Sequence, residues 1–435
     1  MFNKLGDRFW IKNAHIPLCL LENISIQPQT REQLCNLDLE IYQNKIISII
    51  PHTSNLPESP YIDVKKGIIF PCFIDSHTHL DKGHIWERSP NTLGTFSEAL
   101  DTVIKDAKNW NPEDVYRRMQ FGLKCSYAQG TIAIRTHLDS FGEQAKISFD
   151  VFQTLKYEWQ NQLSLQAVCL VSLDYFLTEQ GEKLADLVAS YGQVLGGVAY
   201  MNPQLDQQLD RVFTLAKERD LDLDFHADET LEPNSICLKK IAETSIKHRF
   251  KNKITCGHCC SLSQQSADLR EETINLVKEA KINIISLPLC NLYLQDRNPN
   301  HTPKQRGFTD VHALKKQGVS VSFASDNCRD PFYGFGNHDG LEVLRESMRI
   351  CHLDTNYDDW VASINKLPAK FMNLPDLGKI ATGLDADLIL FKARYFSELF
   401  SRPQSDRRVM RKGQFIDTML PDYSELDDLI FPSPS

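Results

Sequence analysis

Four apolar runs in this chain each close on side chains that can bind a metal, and the outermost of these side chains are 249 residues apart. Gly67-Ile-Ile-Phe-Pro-Cys-Phe-Ile-Asp75 leads into His77-Thr-His79. Leu221-Asp-Leu-Asp-Phe225 alternates and runs into His226-Ala-Asp-Glu229. Lys253-Ile-Thr-Cys-Gly257 ends on His258, and Val319-Ser-Val-Ser-Phe-Ala324 is followed by Asp326. Alternation with period two, or a short apolar run, reads as a strand. The candidate ligands therefore stand at strand ends.

Their spacing tests one architecture. If His77 and Asp326 mark strands 1 and 8, seven strand–helix steps average about 36 residues, which suits a ~250-residue (β/α)8 barrel of the TIM type. His226 then falls about four steps on, at strand 5, and His258 about five steps on, at strand 6. An open doubly wound sheet would spread these ends along a row, whereas a closed barrel gathers them around one ion.

Between the runs lie helix signals. Thr95-Phe-Ser-Glu98 is a capping box. Asn111-Pro112 gives an N-cap followed by proline at the first helical position. Asp206 to Arg219 carries Leu209, Val212, Phe213 and Ala216 on one face. Gly318 suits the stop of a helix that starts near Asp310. Strands alternating with helices predict a parallel sheet. Residues 8–69 read differently, as short strands that include Ile24-Ser-Ile26, Leu37 to Ile41 and Lys45 to Ile49. β character returns at Asp387 to Phe391 and at Val409 to Gly413. The expected division is 1–69, 70–375 for the barrel and 376–435, the last including an acidic tail whose Pro-Ser-Pro-Ser end is loosely held.

The bulk numbers exclude some classes. A net charge of -9 favours neither nucleic acid nor an anionic membrane, and the local clusters Arg407-Arg408 and Arg411-Lys412 read as a solvated face. No apolar run approaches the ~20 residues of a membrane span. Met1 to Asp7 shows no secretory leader. The twelve cysteines, several inside apolar strands, suit a reducing cytoplasm. Cys259-Cys260 beside His258 reads as buried packing.

On a strand, His77 and His79 point the same way. With His226 and Asp326 they make three nitrogens and one hard oxygen, a set for one divalent transition ion, zinc or iron. Such an ion lowers the pKa of a bound water to about 7. Asp326 and His258 are candidates for that water's proton, and Glu229 for protonating the leaving side of the substrate. Strand 4, read as Val194 to Asn202, has no Lys or Glu to bridge a second ion, so one metal is expected. His137, at the end of the strand-2 run Gly130 to Thr136, is a further candidate for the cavity wall. The other histidines take the default reading of surface or core residues.

At these residues the chain resembles the amidohydrolase superfamily, in particular its cytosine deaminase branch, over residues 68–418. The resemblance rests on Phe70 to Asp81, Thr136-His137-Leu-Asp139, His226-Ala-Asp-Glu229, Ser325-Asp326-Asn327, Asp330 to Tyr333 and Gly383 to Leu388. It implies a barrel plus a small β-sandwich built from both chain ends, with iron or zinc on His77, His79, His226 and Asp326. It also implies that Glu229 shuttles a proton to a ring nitrogen while His258 orients and deprotonates the water. Three substrate positions depart from the branch: Ser172 where a glutamine holds the base, Asn327 where a second aspartate follows, and Phe332 where a tryptophan stands. An unpaired buried amide on the base costs roughly 1–3 kcal/mol, so a substituted aminopyrimidine or related heterocycle is expected beside or instead of cytosine. The alternative is hydrolysis of a cyclic amide or an N-alkylamino triazine ring at the same mononuclear site. A barrel that has lost catalysis and serves as a scaffold is disfavoured, because every metal and proton-transfer position is filled. The expected partner is a small N-heterocycle. Barrels of this kind often form homo-oligomers, but no residue here specifies subunit number.

Overall fold

The computed structural model describes residues 6–298, 300–355, 357 and 360–431, so the Pro-Ser-Pro-Ser terminus lies outside the described residues. Sixteen strands, β1–β16 in chain order, fall into two compact units among them.

The first unit comprises residues 1–74, 125–132 and 339–420. One of its sheets has the order β3-β2-β1-β4, built from β1 (Arg8–Pro17), β2 (Leu34–Tyr42), β3 (Lys45–Pro51) and β4 (Tyr61–Asp63). The other has the order β16-β15-β14-β5 and joins β5 (Ile69–Pro71) from one chain end to β14 (Leu388–Leu390), β15 (Arg408–Arg411) and β16 (Gln414–Phe415) from the other. Period-two alternation turns Ile11, Leu37, Leu39 and Ile41 of the first sheet into one core with Ile69, Leu388, Leu390 and Met410 of the second. Two readings of this region fail. Ile24-Ser-Ile26 is irregular chain whose isoleucines pack against this core, while β1 pairs on its two sides with β2 and β4. Arg407 is not solvated: it is buried, with both guanidinium arms 2.6 Å from the Asp339 carboxylate.

The second unit comprises residues 75–124, 133–338 and 421–435. The barrel has eight parallel strands: β6 (Phe73–Thr78), β7 (Thr131–Asp139), β8 (Ser164–Leu170), β9 (Leu195–Ala199), β10 (Leu223–Ala227), β11 (Ile254–His258), β12 (Asn283–Ser286) and β13 (Val321–Phe323). Two ladders, β6-β7-β8 and β9-β10-β11-β12-β13, join through the parallel bridges Val168–Val194, Ser172–Val198 and Thr78–Asp326. The ring therefore closes.

The run from Gly67 to Asp75 breaks at Cys72 into β5 and β6, so one apolar stretch serves both folds. The connecting helices start where their caps predict. Thr95 accepts from the Glu98 N–H ahead of α1 (Phe96–Asp106), and Asn111 accepts from Glu113 and Asp114 ahead of α2 (Pro112–Ala128). Asp310 caps the short helix Val311–Lys316, and Gly318 follows it at φ 81°. No disulfide joins any of the twelve cysteines. No helix among the described residues is long and apolar enough to cross a membrane.

Candidate active site

Alternation along the strands stacks polar side chains in layers inside the barrel. On β7, Arg135, His137 and Asp139 share a face, and on β10 so do Asp224 and His226. The lowest layer is an ion pair, Arg135 to Asp224 at 2.9 Å, with Gln166 also accepting from the guanidinium. Above it His137 meets the second oxygen of Asp224 at 3.3 Å and lies face-near to His77, ring centroids 3.9 Å apart. His137 is therefore fully buried beneath the candidate ligands and does not line the cavity, contrary to its expected place, because β7 continues two residues past it to Asp139.

The next layer gathers the four expected ligands. Nε2 of His79 lies 3.2 Å from Asp326 Oδ1 and 3.4 Å from His226 Nε2, and His77 Nε2 lies 3.5 Å from the same oxygen. The ligand atoms of His77, His79 and His226 fall within 4.8 Å of one another, as do those of His77, His258 and Asp326. Both nitrogens of His77, both oxygens of Asp326 and Nε2 of His258 are buried without a hydrogen-bond partner. Buried polar atoms seldom stay unpaired, and a three-imidazole, one-carboxylate set is what zinc or iron takes. The residues thus fit a divalent ion held by His77, His79, His226 and Asp326. Burial drives the His79 and His226 imidazoles well below their ordinary range and so keeps them neutral, the ligating form. Burial alone would raise the Asp326 carboxyl, but His258, His77 and His79 around it outweigh that and hold it well below.

Three of these residues reach their positions through left-handed backbone: Asp228 at φ 52°, His258 at 68° and Asp326 at 62°. Such conformations cost roughly 1–3 kcal/mol each and concentrate at functional sites. Asp228 shows what holds one of them. Its carboxylate accepts from Ser235 Oγ and from the N–H groups of Cys237 and Leu238, which open a helix. The turn it fixes sends Glu229 into the cavity, with Oε1 3.2 Å from His258 Nδ1. Asn291 Nδ2 lies 3.2 Å from that oxygen and 3.0 Å from that nitrogen. Burial first, then the Asp326 charge, pushes the Glu229 carboxyl well above its ordinary value, and Lys82 only partly opposes this. Burial pushes His258 down to about 3.

The cavity beside the cluster has a volume of about 1140 Å³. Its polar floor is His79, His226, His258, Asp326 and Glu229, and α1 and its continuation form an apolar wall of Phe96, Leu100, Val103, Ile104 and Trp110. Ser172, Asn327 and Phe332 are among the residues that line it. Ser172 Oγ donates to Asp174, and Asn327 Nδ2 donates to Asp330 at 2.7 Å.

The region from 150 to 416 matches the model of the amidohydrolase family. A pterin deaminase of Rhizobium rhizogenes strain K84 is 45% identical over 425 residues, 97% of both chains. The chain belongs to the amidohydrolase family. The N-isopropylammelide isopropyl amidohydrolase of Pseudomonas sp. strain ADP is 26% identical over 82% of this chain and 87% of its own. Among solved structures, a 5-methylcytosine deaminase of Klebsiella pneumoniae liganded with 5-fluorocytosine superposes with a TM-score of 0.80 at 24% identity, covering 94% of this chain and 97% of that one. That likeness establishes the fold: a barrel with a separate β-sandwich.

Sequence reasoning missed three groups here. Asp139 had a usable signal, since it stands two residues after His137 and shares its face. Lys82 had none, because it lies beyond the end of β6 where no periodicity aims a side chain, and Asn291 sits in a short helix, Pro288–Leu294, that was not read from the sequence. His84 and His338, given the default reading, are buried with their Nε2 atoms 3.2 Å apart, and with Cys328 they form a second close grouping.

Proposed function

We propose that this amidohydrolase-family chain is a metal-dependent deaminase of a bicyclic 2-amino-4-oxo ring of the pterin class, releasing ammonia. The observation that carries the reading is the position of Glu229. Its carboxyl, favoured in the acid form by burial, stands at the junction between a four-ligand cluster and a cavity too large for one six-membered ring. Pockets for drug-sized ligands run to about 300–1,000 Å³. The 45% identical relative named a pterin deaminase supports the bicyclic ring over cytosine, as does the short Ser172 in place of a long amide.

His77, His79, His226 and Asp326 would hold a divalent ion, which when bound would supply a water activated at neutral pH. Asp326 takes the proton that water gives up, and His258, whose Nε2 is unpaired, orients it. Glu229 donates a proton to the ring nitrogen next to the aminated carbon, so that this carbon accepts the water oxygen as the ring C=N opens to a C–N single bond. The amine then leaves as ammonia with the proton held by Asp326, while the adduct hydroxyl returns its proton to Glu229 and the ring carbonyl forms. Asn291 holds Glu229 and His258 in register.

A second reading, removal of an N-alkylamine from a triazine-type ring, is favoured by the apolar α1 wall and the 26% identical relative. Metal-replete protein incubated with pterin, cytosine, 5-methylcytosine and an N-isopropylamino triazine separates them. Ammonia from pterin, lost on chelation and restored by one equivalent of metal, supports the proposal. Alkylamine from the triazine alone would replace it, and no ammonia from any pterin would overturn it.

A further inference from the structure

Among the groups on the cavity wall, one ion pair has no part in metal binding or proton transfer. Lys82 is buried, its side chain 5% exposed, yet it lines the cavity with Asp139. Its ammonium donates to Asp139 Oδ1 at 2.7 Å and stands 5.4 Å over the Phe332 ring. An ammonium has three N–H donors, and among the described residues only one is engaged. Asp139 is likewise incomplete: one oxygen takes Lys82, and among the described residues the other accepts no hydrogen bond. The pair is fixed from behind. Asp81 accepts from the Asp139 N–H at 2.7 Å, and the Leu80 N–H donates to Thr136 Oγ1 at 2.9 Å, so the two His-Leu-Asp segments that end β6 and β7 are laced together. Burying an ion pair for packing alone is seldom favourable over apolar residues of the same volume.

We infer that Lys82 and Asp139 read a lactam edge of the substrate, a ring C=O beside a ring N–H, adjacent to the carbon that loses its amine. The inference rests on the deaminase reading above and adds the recognition element. In a 2-amino-4-oxo ring, the reacting carbon has on one side the bare nitrogen that Glu229 protonates. On the other side are an N–H and then a carbonyl. Spare donors on Lys82 match the carbonyl, and the spare oxygen of Asp139 matches the N–H. A site built to hydrogen-bond such groups rejects an analogue that lacks them far more strongly than an apolar pocket rejects a misfit.

The test compares wild type, Lys82→Met, Asp139→Asn and the double variant, which leaves no lone buried charge. All are checked for equal metal content and melting temperature. Substrates are 2-amino-4-oxopteridine and 2-aminopteridine, which lacks the carbonyl, and binding of the 2,4-dioxopteridine product is followed by its fluorescence. Each variant is expected to lose about 10- to 100-fold more in kcat/KM on the oxo substrate than on 2-aminopteridine, with a matching loss in product affinity, so that selectivity collapses. Equal losses on both substrates, or no loss, would overturn the role of the pair while leaving the deaminase reading intact. A wild type inert on both rings would overturn that reading and the pair's role with it.

Discussion

Gly257 offers a test of the metal cluster that replaces none of its ligands. It lies in β11 next to His258, paired in register with His226, and the His77 imidazole passes directly over it. A methyl group at Gly257 would fall 2.8 Å from His77 Cε1 and 3.0 Å from Nδ1, with Leu287 at 3.5 Å on another side. Carbon atoms rest at about 3.5–4.0 Å, so the ring must retreat by roughly 0.7–1 Å. It cannot do so freely, because His137 lies against it at 3.9 Å between ring centroids. Metal–nitrogen bonds tolerate about ±0.2 Å. Gly257→Ala should therefore weaken metal affinity about 10- to 100-fold, the range seen when a ligand's supporting contacts are disturbed, equivalent to about 1.4–2.8 kcal/mol. The overpacking itself costs about 1–3 kcal/mol of stability. Metal retention against a graded series of chelator buffers measures the first effect, and thermal unfolding of metal-free protein the second. A variant that holds metal as tightly as wild type and keeps full turnover would refute the assignment of His77 as a ligand pinned between Gly257 and His137.

Glu229→Gln should keep the metal and lose about 10²- to 10⁴-fold in kcat, and unchanged turnover would remove Glu229 from the proton path. Arg407→Ala strands the buried Asp339 carboxylate and should cost about 3–5 kcal/mol in chemical denaturation; a loss under 1 kcal/mol would mean that water replaces the guanidinium. Burial raises the Asp330 carboxyl from 3.8 to about 7, even against donation from Asn327. The folded state thus keeps its proton longer than the unfolded chain, and the resulting stability is complete below pH 3.8 and lost as pH rises through about 7. Asp330→Asn, which cannot ionise, should lose less melting temperature than wild type between pH 5 and 8, and parallel declines would show that Asp330 does not titrate there.

The barrel was legible because its signal is redundant: four apolar runs, separated by distances that fit whole strand–helix steps, all end in candidate metal ligands. Strand limits were less so. Asp326 lies three residues beyond β13 and is brought to the cluster by its bridge to Thr78, a contact no local pattern announces. Ile24-Ser-Ile26 alternates as a strand should, but alternation cannot tell a paired strand from irregular chain that packs on the core. Arg407 read as solvated because its partner is 68 residues away in sequence. The same reason hid Lys82, whose partner Asp139 is supplied by the next strand of the barrel.

One apolar wall of the cavity comes from a single stretch, Phe96 to Trp110, which lies between β6 and α2. None of its residues belongs to the ion-binding layer. Evolution can therefore resculpt what rests against that helix by editing some fifteen consecutive codons, leaving the hydrolytic apparatus untouched. Relatives that share the same chemistry can diverge in diet partly through this segment.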